Sequence, residues 1–140
     1  MLYGKSITIP KSTTSTSPTK VTLGISAGVI TKIMVRPRPG HSALAHLVIR
    51  YQTHQIAPST EGMELHGDKD PIDWEDYVEV SQPPFELVLE GWNDDDTYEH
   101  TFDVYVAVIP KSLTLGQILS NTSRDIFSLL SPRRIFGGGG

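Results

Sequence analysis

His100-Thr101-Phe102-Asp103-Val104-Tyr105-Val106-Ala107-Val108-Ile109 alternates without a break. Phe102, Val104, Val106 and Val108 fall on one side of an extended chain, and Asp103, Tyr105, Ala107 and Ile109 on the other. A period of two with one apolar side marks a strand that buries one face. The same period recurs outward along the chain. Phe85, Leu87 and Leu89 alternate with Glu86, Val88 and Glu90; Ala45, Leu47, Ile49 and Tyr51 oppose His46, Val48 and Arg50; Val21, Leu23 and Ile25 alternate with Lys20, Thr22 and Gly24. Val29 to Arg36 is a dense β-branched run closed by Pro37-Arg38-Pro39-Gly40, and Tyr3, Lys5, Ile7 and Ile9 alternate until Pro10 stops them.

Ten prolines and twelve glycines punctuate these runs, and turn residues at short spacing favour many short strands over long helices. With no helical stretches between strands, crossover architectures are disfavoured. The expected fold is all-β: an antiparallel β-sandwich, jelly-roll-like or Ig-like, of about six to eight strands, with Leu23, Val35, Leu47, Ile49, Leu87, Leu89, Val104 and Val106 in the core. Residues 85–92 and 100–109, joined by Asn93-Asp94-Asp95-Asp96-Thr97-Tyr98-Glu99, read as a hairpin.

Three regions are expected. Residues 1–20 form an N-terminal arm, polar and Pro-broken after Pro10. Residues 21–110 form the sandwich. Residues 111–140 form a short helical, Gly-rich tail, in which Thr122 and Asp125 make a capping-box pattern and Pro132 ends the helix. The first residues contain no apolar core of signal-peptide length, and no stretch approaches 18 apolar residues. The expectation is a chain made and folded in cytoplasm that does not span a membrane.

The absence of cysteine removes disulfides, thiolate metal sites and cysteine nucleophiles. Charge is segregated along the chain. Residues 1–60 carry seven bases and no acid, residues 61–110 carry fifteen acids and one base, and the last thirty carry four bases and one acid, for a net charge of −4. Two readings are open: early and late strands interleave so that opposite charges meet across a sheet, or the molecule has two oppositely charged faces.

Chemistry-bearing patterns are mostly missing. Starting at Asp68, the calcium-loop template meets Ile72 and Asp73 where it needs a ligand and a glycine, and starting at Asn93 it meets Thr97 and Tyr98. A looser cation site is the competing reading. The five histidines lack metal-ligand spacing, and neither a nucleophile elbow nor a phosphate-cradling glycine loop is present. The expectation is a protein that is not an enzyme and carries no cofactor. Arg36, Arg38, Arg133 and Arg134 are not interleaved with aromatics, which argues against nucleic acid as a partner. Trp74 and Trp92 lie beside acid-rich segments, where they are rim packing, anchors of a protein interface, or a sugar platform.

Ser26-Ala27-Gly28-Val29-Ile30-Thr31-Lys32-Ile33, Arg36-Pro37-Arg38-Pro39-Gly40, His54-Gln55-Ile56-Ala57-Pro58, Pro84-Phe85-Glu86-Leu87 and Gly91-Trp92-Asn93-Asp94-Asp95-Asp96-Thr97-Tyr98-Glu99-His100-Thr101 together resemble a family of small virion proteins, of the capsid decoration or surface type, encoded by tailed phages and related prophages. The resemblance covers residues 21–110 and transfers no catalytic residue. It implies a structural subunit of a virus particle, located in the virion, with other virion proteins such as a major capsid protein as partners and a homo-oligomeric state. A carbohydrate- or receptor-binding module is the alternative. The expected assembly contacts are Tyr3, Ile7 and Ile9 of the arm, which could add a strand to its own or a neighbour's sheet; Arg36, Arg38, Trp74 and Trp92; and Ile126, Phe127, Leu130, Ile135 and Phe136 of the tail.

Overall fold

The computed structural model describes residues 1–111. Eight strands follow one another: β1 Leu2–Ile9, β2 Thr19–Gly24, β3 Gly28–Pro37, β4 Ala45–Tyr51, β5 His54–Ala57, β6 Ile72–Val80, β7 Glu86–Asn93 and β8 His100–Ile109. They form two four-stranded antiparallel sheets, sheet A in the order β1-β8-β3-β6 and sheet B in the order β2-β7-β4-β5. The expected all-β sandwich is therefore present. The ladders β1·β8, β2·β7, β3·β6 and β4·β5 are the rungs of one long hairpin. Winding it up brings β8 against β3 and β7 against β4. This is the strand order of a jelly roll and not of an immunoglobulin domain.

The winding corrects the hairpin expected over residues 85–109. Strand β7 lies in sheet B and β8 in sheet A, so residues 94–99 arch from one sheet to the other. The consecutive strands β4 and β5 do pair as a hairpin, through Gln52 and Thr53, with Gln52 at φ 55°. A local connection of six residues suits either geometry, and the strand order, which sequence spacing does not encode, decides between them.

The N-terminal arm, expected to add a strand to its own or a neighbour's sheet, adds it to its own. Met1–Ile109 is one compact unit, and β1 runs along β8 from Leu2↔Ala107 to Ile9↔His100. Ile7 and Ile9 have no solvent exposure, and Tyr3 packs against the same core. Ile7 and Ile9 hold the sandwich together and offer no surface to a partner. The tail, with Ile126, Phe127, Leu130, Ile135 and Phe136, lies outside the described residues. Among the described residues no helix is long and apolar enough to cross a membrane.

All eight residues expected in the core are buried, because strand parity turns them between the sheets. Strand β3 departs from strict alternation: Val29 and Ile30 are both buried, and a bulge between Ile30 and Lys32 shifts the register against β6 and β8 together. Glycine matters most in β7. A Cβ on Gly91 would lie 2.3 Å from Ile9 Cδ1, so the missing side chain is the hole that β1 fills from the opposite sheet. Gly91→Ala should lower the unfolding free energy by about 1–3 kcal/mol through overpacking, read as a lower urea midpoint with an unchanged slope.

Candidate functional site

The outer face of sheet A is built in cross-strand rows by the β1·β8·β3 registers. Leu2, Ala107 and Lys32 form one row, Gly4, Tyr105 and Met34 the next, and Ser6, Asp103 and Arg36 the third. The face therefore grades from apolar to polar along the strands. Leu2 is 71% exposed, whereas Tyr105, Ala107 and Met34 are half-buried. Gly4 lets the Tyr105 ring lie close over β1; a Cβ there would meet Tyr105 Cδ1 at 3.2 Å. Tyr105 thus stands as a ridge between two depressions. One, of about 240 Å³, is lined by Leu2, Lys32, Met34, Tyr105 and Ala107. The other, of about 550 Å³, is lined by Gly4, Lys5, Ser6, Asp103 and Tyr105.

Asp103 anchors the polar end. Its carboxylate accepts from Ser6 Oγ (2.6 Å) and, as a fork, from Arg38 Nε (3.1 Å) and Nη2 (3.0 Å). The Arg38 bonds hold the Asp103 carboxyl below its ordinary pKa, against some opposing desolvation. Arg36 is exposed and stands opposite Asp103 across the β3·β8 ladder.

Arg38 is placed by the turn that follows β3. Its backbone N–H donates to the Thr101 carbonyl (3.1 Å), and the same carbonyl accepts from His41 Nε2 (2.7 Å). A carbonyl requires a proton on that nitrogen, so neutral His41 carries it on Nε2. Its Nδ1 is buried without a partner. The ring sits 4.6 Å from His100 and edge-on to Phe102 at 4.7 Å. His100 Nε2 in turn donates to Asp95 Oδ2 at 2.8 Å. Asp95 also accepts from the Thr97 and Tyr98 backbone N–H groups, and Asn93 accepts from the Asp95 N–H. The Thr97 N–H, followed by His100, keeps the Asp95 carboxyl below its usual range.

Three of the acidic residues have protein partners. Asp95 closes the β7–β8 arch, Asp68 accepts from the Gly40 N–H at 2.9 Å, and Asp73 pairs with Lys32 at 3.4 Å. Among the described residues, no group of three or more His, Asp or Glu is arranged to hold a metal ion.

The two tryptophans are not neighbours. Trp74, on edge strand β6 of sheet A, packs against the core and donates to Asp76 Oδ2 at 3.2 Å. Trp92 lies on the outer face of sheet B, stacked on His46 at 5.4 Å and 20°. A platform that uses both is ruled out by their separation onto different sheets. Of the expected contacts, Arg36 and Arg38 lie on the sheet A face, and Tyr3 lies on the core side of β1. Sequence reading missed Tyr105, Met34 and Leu2; the available signal was that Tyr105 is the bulkiest residue on the outward side of β8.

Burial holds the His41 pKa below its ordinary value of 6.5, with His100 acting in the same direction and the Thr101 bond opposing. Above about pH 6.5 folded and unfolded rings are both neutral and the domain is at full stability in this respect. As pH falls through the lowered folded value, the unfolded chain takes up the proton first and stability is lost. Urea midpoints between pH 7.5 and 5 should therefore decline in the wild type and decline less in His41→Gln. Asp95 and Asp103, whose values are lowered, act in a separate window below about pH 4.

Comparison with protein-family models and with curated proteins finds no match to this chain.

Proposed function

We propose that this chain is a non-enzymatic structural subunit of a virus particle, a capsid decoration or stabilising protein that docks through the outer face of sheet A. The observation that carries the reading is the Tyr105 ridge between two hollows, with Met34 and Leu2 at one side and Arg36 and Arg38 at the other. Tyrosine, methionine and arginine are the residue types enriched where protein surfaces meet, and a central aromatic that fills a partner's pocket is the usual energetic anchor. The Arg38–Asp103–Ser6 network fixes the polar end before any partner arrives, which reduces the ordering cost of association.

The jelly roll supports the reading by analogy, since the fold recurs in viral capsid domains; it also recurs in lectins, so fold alone does not choose. The resemblance over residues 21–110 points the same way. On this reading the partners are a major capsid protein or another shell protein, and several copies act together on a repeating lattice.

The test is sedimentation with capsids of the encoding phage. The wild-type protein should copurify at a fixed stoichiometry. Tyr105→Ala should keep its far-UV circular dichroism and urea midpoint within about 1 kcal/mol, and should bind at least about tenfold more weakly, as removal of an interface anchor does. Capsids that take up Tyr105→Ala as well as wild type would remove this face from the proposal. Protein that never sediments with capsids would remove the proposal itself.

A further inference from the structure

We propose that a hollow on the outer face of sheet B is a binding site for a neutral pyranose sugar. The hollow, of about 200 Å³, lies over β4 and β7, with Val48, Arg50, Glu90 and Trp92 as its floor. The segment between β5 and β6 walls it on one side through Met63 and Glu64, and the β1–β2 connection closes the other. A jelly roll has two outer faces, so this site and the Tyr105 face point away from each other. The inference is independent of the docking proposal.

Its walls are held in place by the protein itself. Gln55 is buried, and its side-chain amide donates to the carbonyls of Pro58 (2.7 Å), Thr60 (2.9 Å) and Met63 (2.9 Å). Leu65 and Leu47 exchange both backbone bonds at 2.8 Å, which ties the end of the same segment to β4. Trp92 is fixed by its stack on His46, whose Nε2 donates to Asp94 at 2.8 Å. Such a preformed hollow does not have to order itself around a weakly bound ligand.

The chemistry of the lining selects the class. Arg50 Nε donates to Glu90 Oε2 at 3.2 Å, and Arg50 Nη1 lies 3.6 Å from Glu61 Oε1. Lys20 lies 3.6 Å from the other Glu90 oxygen. Lys20 and Arg50 offset Glu90 and Glu61, while Glu64, 3.7 Å from His46 Nδ1, adds one further carboxylate, so the hollow does not favour a phosphate and offers that carboxylate to hydroxyl donors. What remains is an aromatic surface from Trp92, apolar flanks from Val48 and exposed Met63, and planar polar groups with unused capacity: the other Arg50 N–H groups and the Glu64 carboxylate. A pyranose presents the complement, an apolar C–H side for an indole and ring hydroxyls that both donate and accept. Small-molecule sites combine these features, apolar area with a few placed polar groups.

The experiment titrates the full chain, labelled with nitrogen-15, with methyl pyranosides of glucose, galactose, mannose and N-acetylglucosamine. At least one should shift the Trp92 indole N–H and the Met63 and Glu64 amides while leaving the Trp74 indole in place, with a dissociation constant on the order of 1 mM. Trp92→Ala should abolish the shift and Glu64→Gln should weaken binding at least about threefold. If Trp92→Ala does not fold, Glu64→Gln, an isosteric change at a half-buried loop position, decides alone. The proposal is overturned if none of the four sugars moves these signals at tens of millimolar, or if a sugar binds both variants as tightly as wild type. Capsid binding by the Tyr105 face has no bearing on either result.

Discussion

The pairing of each early strand with a late one is the constraint on which the rest of this molecule depends. In a wound hairpin of eight strands, β1 meets β8, β2 meets β7 and β3 meets β6. The charge segregation along the chain follows from it. Lys20 meets Glu90, Lys32 meets Asp73, Arg38 meets Asp103 and Arg50 meets Glu90, each a base from residues 1–60 beside an acid from residues 61–110. An exposed pair such as Lys32–Asp73 is worth about 0–1 kcal/mol, too little to drive folding. The collective value of these pairs is in register and specificity, because a slipped or misordered ladder would set like charges opposite one another.

The same winding puts all successive strands but β4 and β5 into different sheets, so the burden shifts to the connections. An arch cannot rely on a tight hairpin turn, and its backbone groups need other partners. Asn93 supplies several: its side-chain amide donates to the Ile9 and Tyr98 carbonyls at 3.3 and 2.9 Å, and its backbone N–H reaches the Thr13 carbonyl at 2.9 Å. Asp95 and His100 close the rest, and His41 ties the β3–β4 turn to the same end. Asn93 and Asp95, two of the residues that looked like ligands in the sequence, hold the β7–β8 arch together, a structural use of a run that resembles metal loops in composition.

How much was legible follows from what each signal encodes. Strand parity is local, so the eight core residues and the outward side of β8 could be read directly. Strand order is not local: nothing within residues 85–109 distinguishes an arch from a hairpin, and nothing within residues 1–10 distinguishes an arm from an edge strand. That β1 belongs to the core depends on Gly91, eighty-two positions beyond Ile9, leaving room for it. Residues singled out on single elements, such as Arg36 and Arg38, could be named from the sequence without knowledge of the registers. Groupings that arise from neighbours on different strands, such as the Gly4–Tyr105–Met34 row, and the hollow of Trp92, Arg50 and Glu90, become visible only once the registers are known.

Among the described residues, the inner faces and the sheet A edges are poor surfaces for assembly. The inner faces are consumed by the core. The edges of sheet A are guarded: β6 carries Asp73, Glu75, Asp76 and Glu79, and β1 carries Lys5 on the same side of the strand as Tyr3 and Ile7. Charges along an edge, and a charge on the inward side of an edge strand, are the devices by which sheets avoid pairing with other strands. Adding a neighbour's strand to β1 would have to accommodate the Lys5 ammonium against a second sheet edge. Docking on the outer face meets no such obstacle, because the side chains there are already arranged in rows and the polar row is internally satisfied. For the proposed docking, the physics of the sheet A edges therefore favours side-chain recognition through the Tyr105 face over strand addition to these edges.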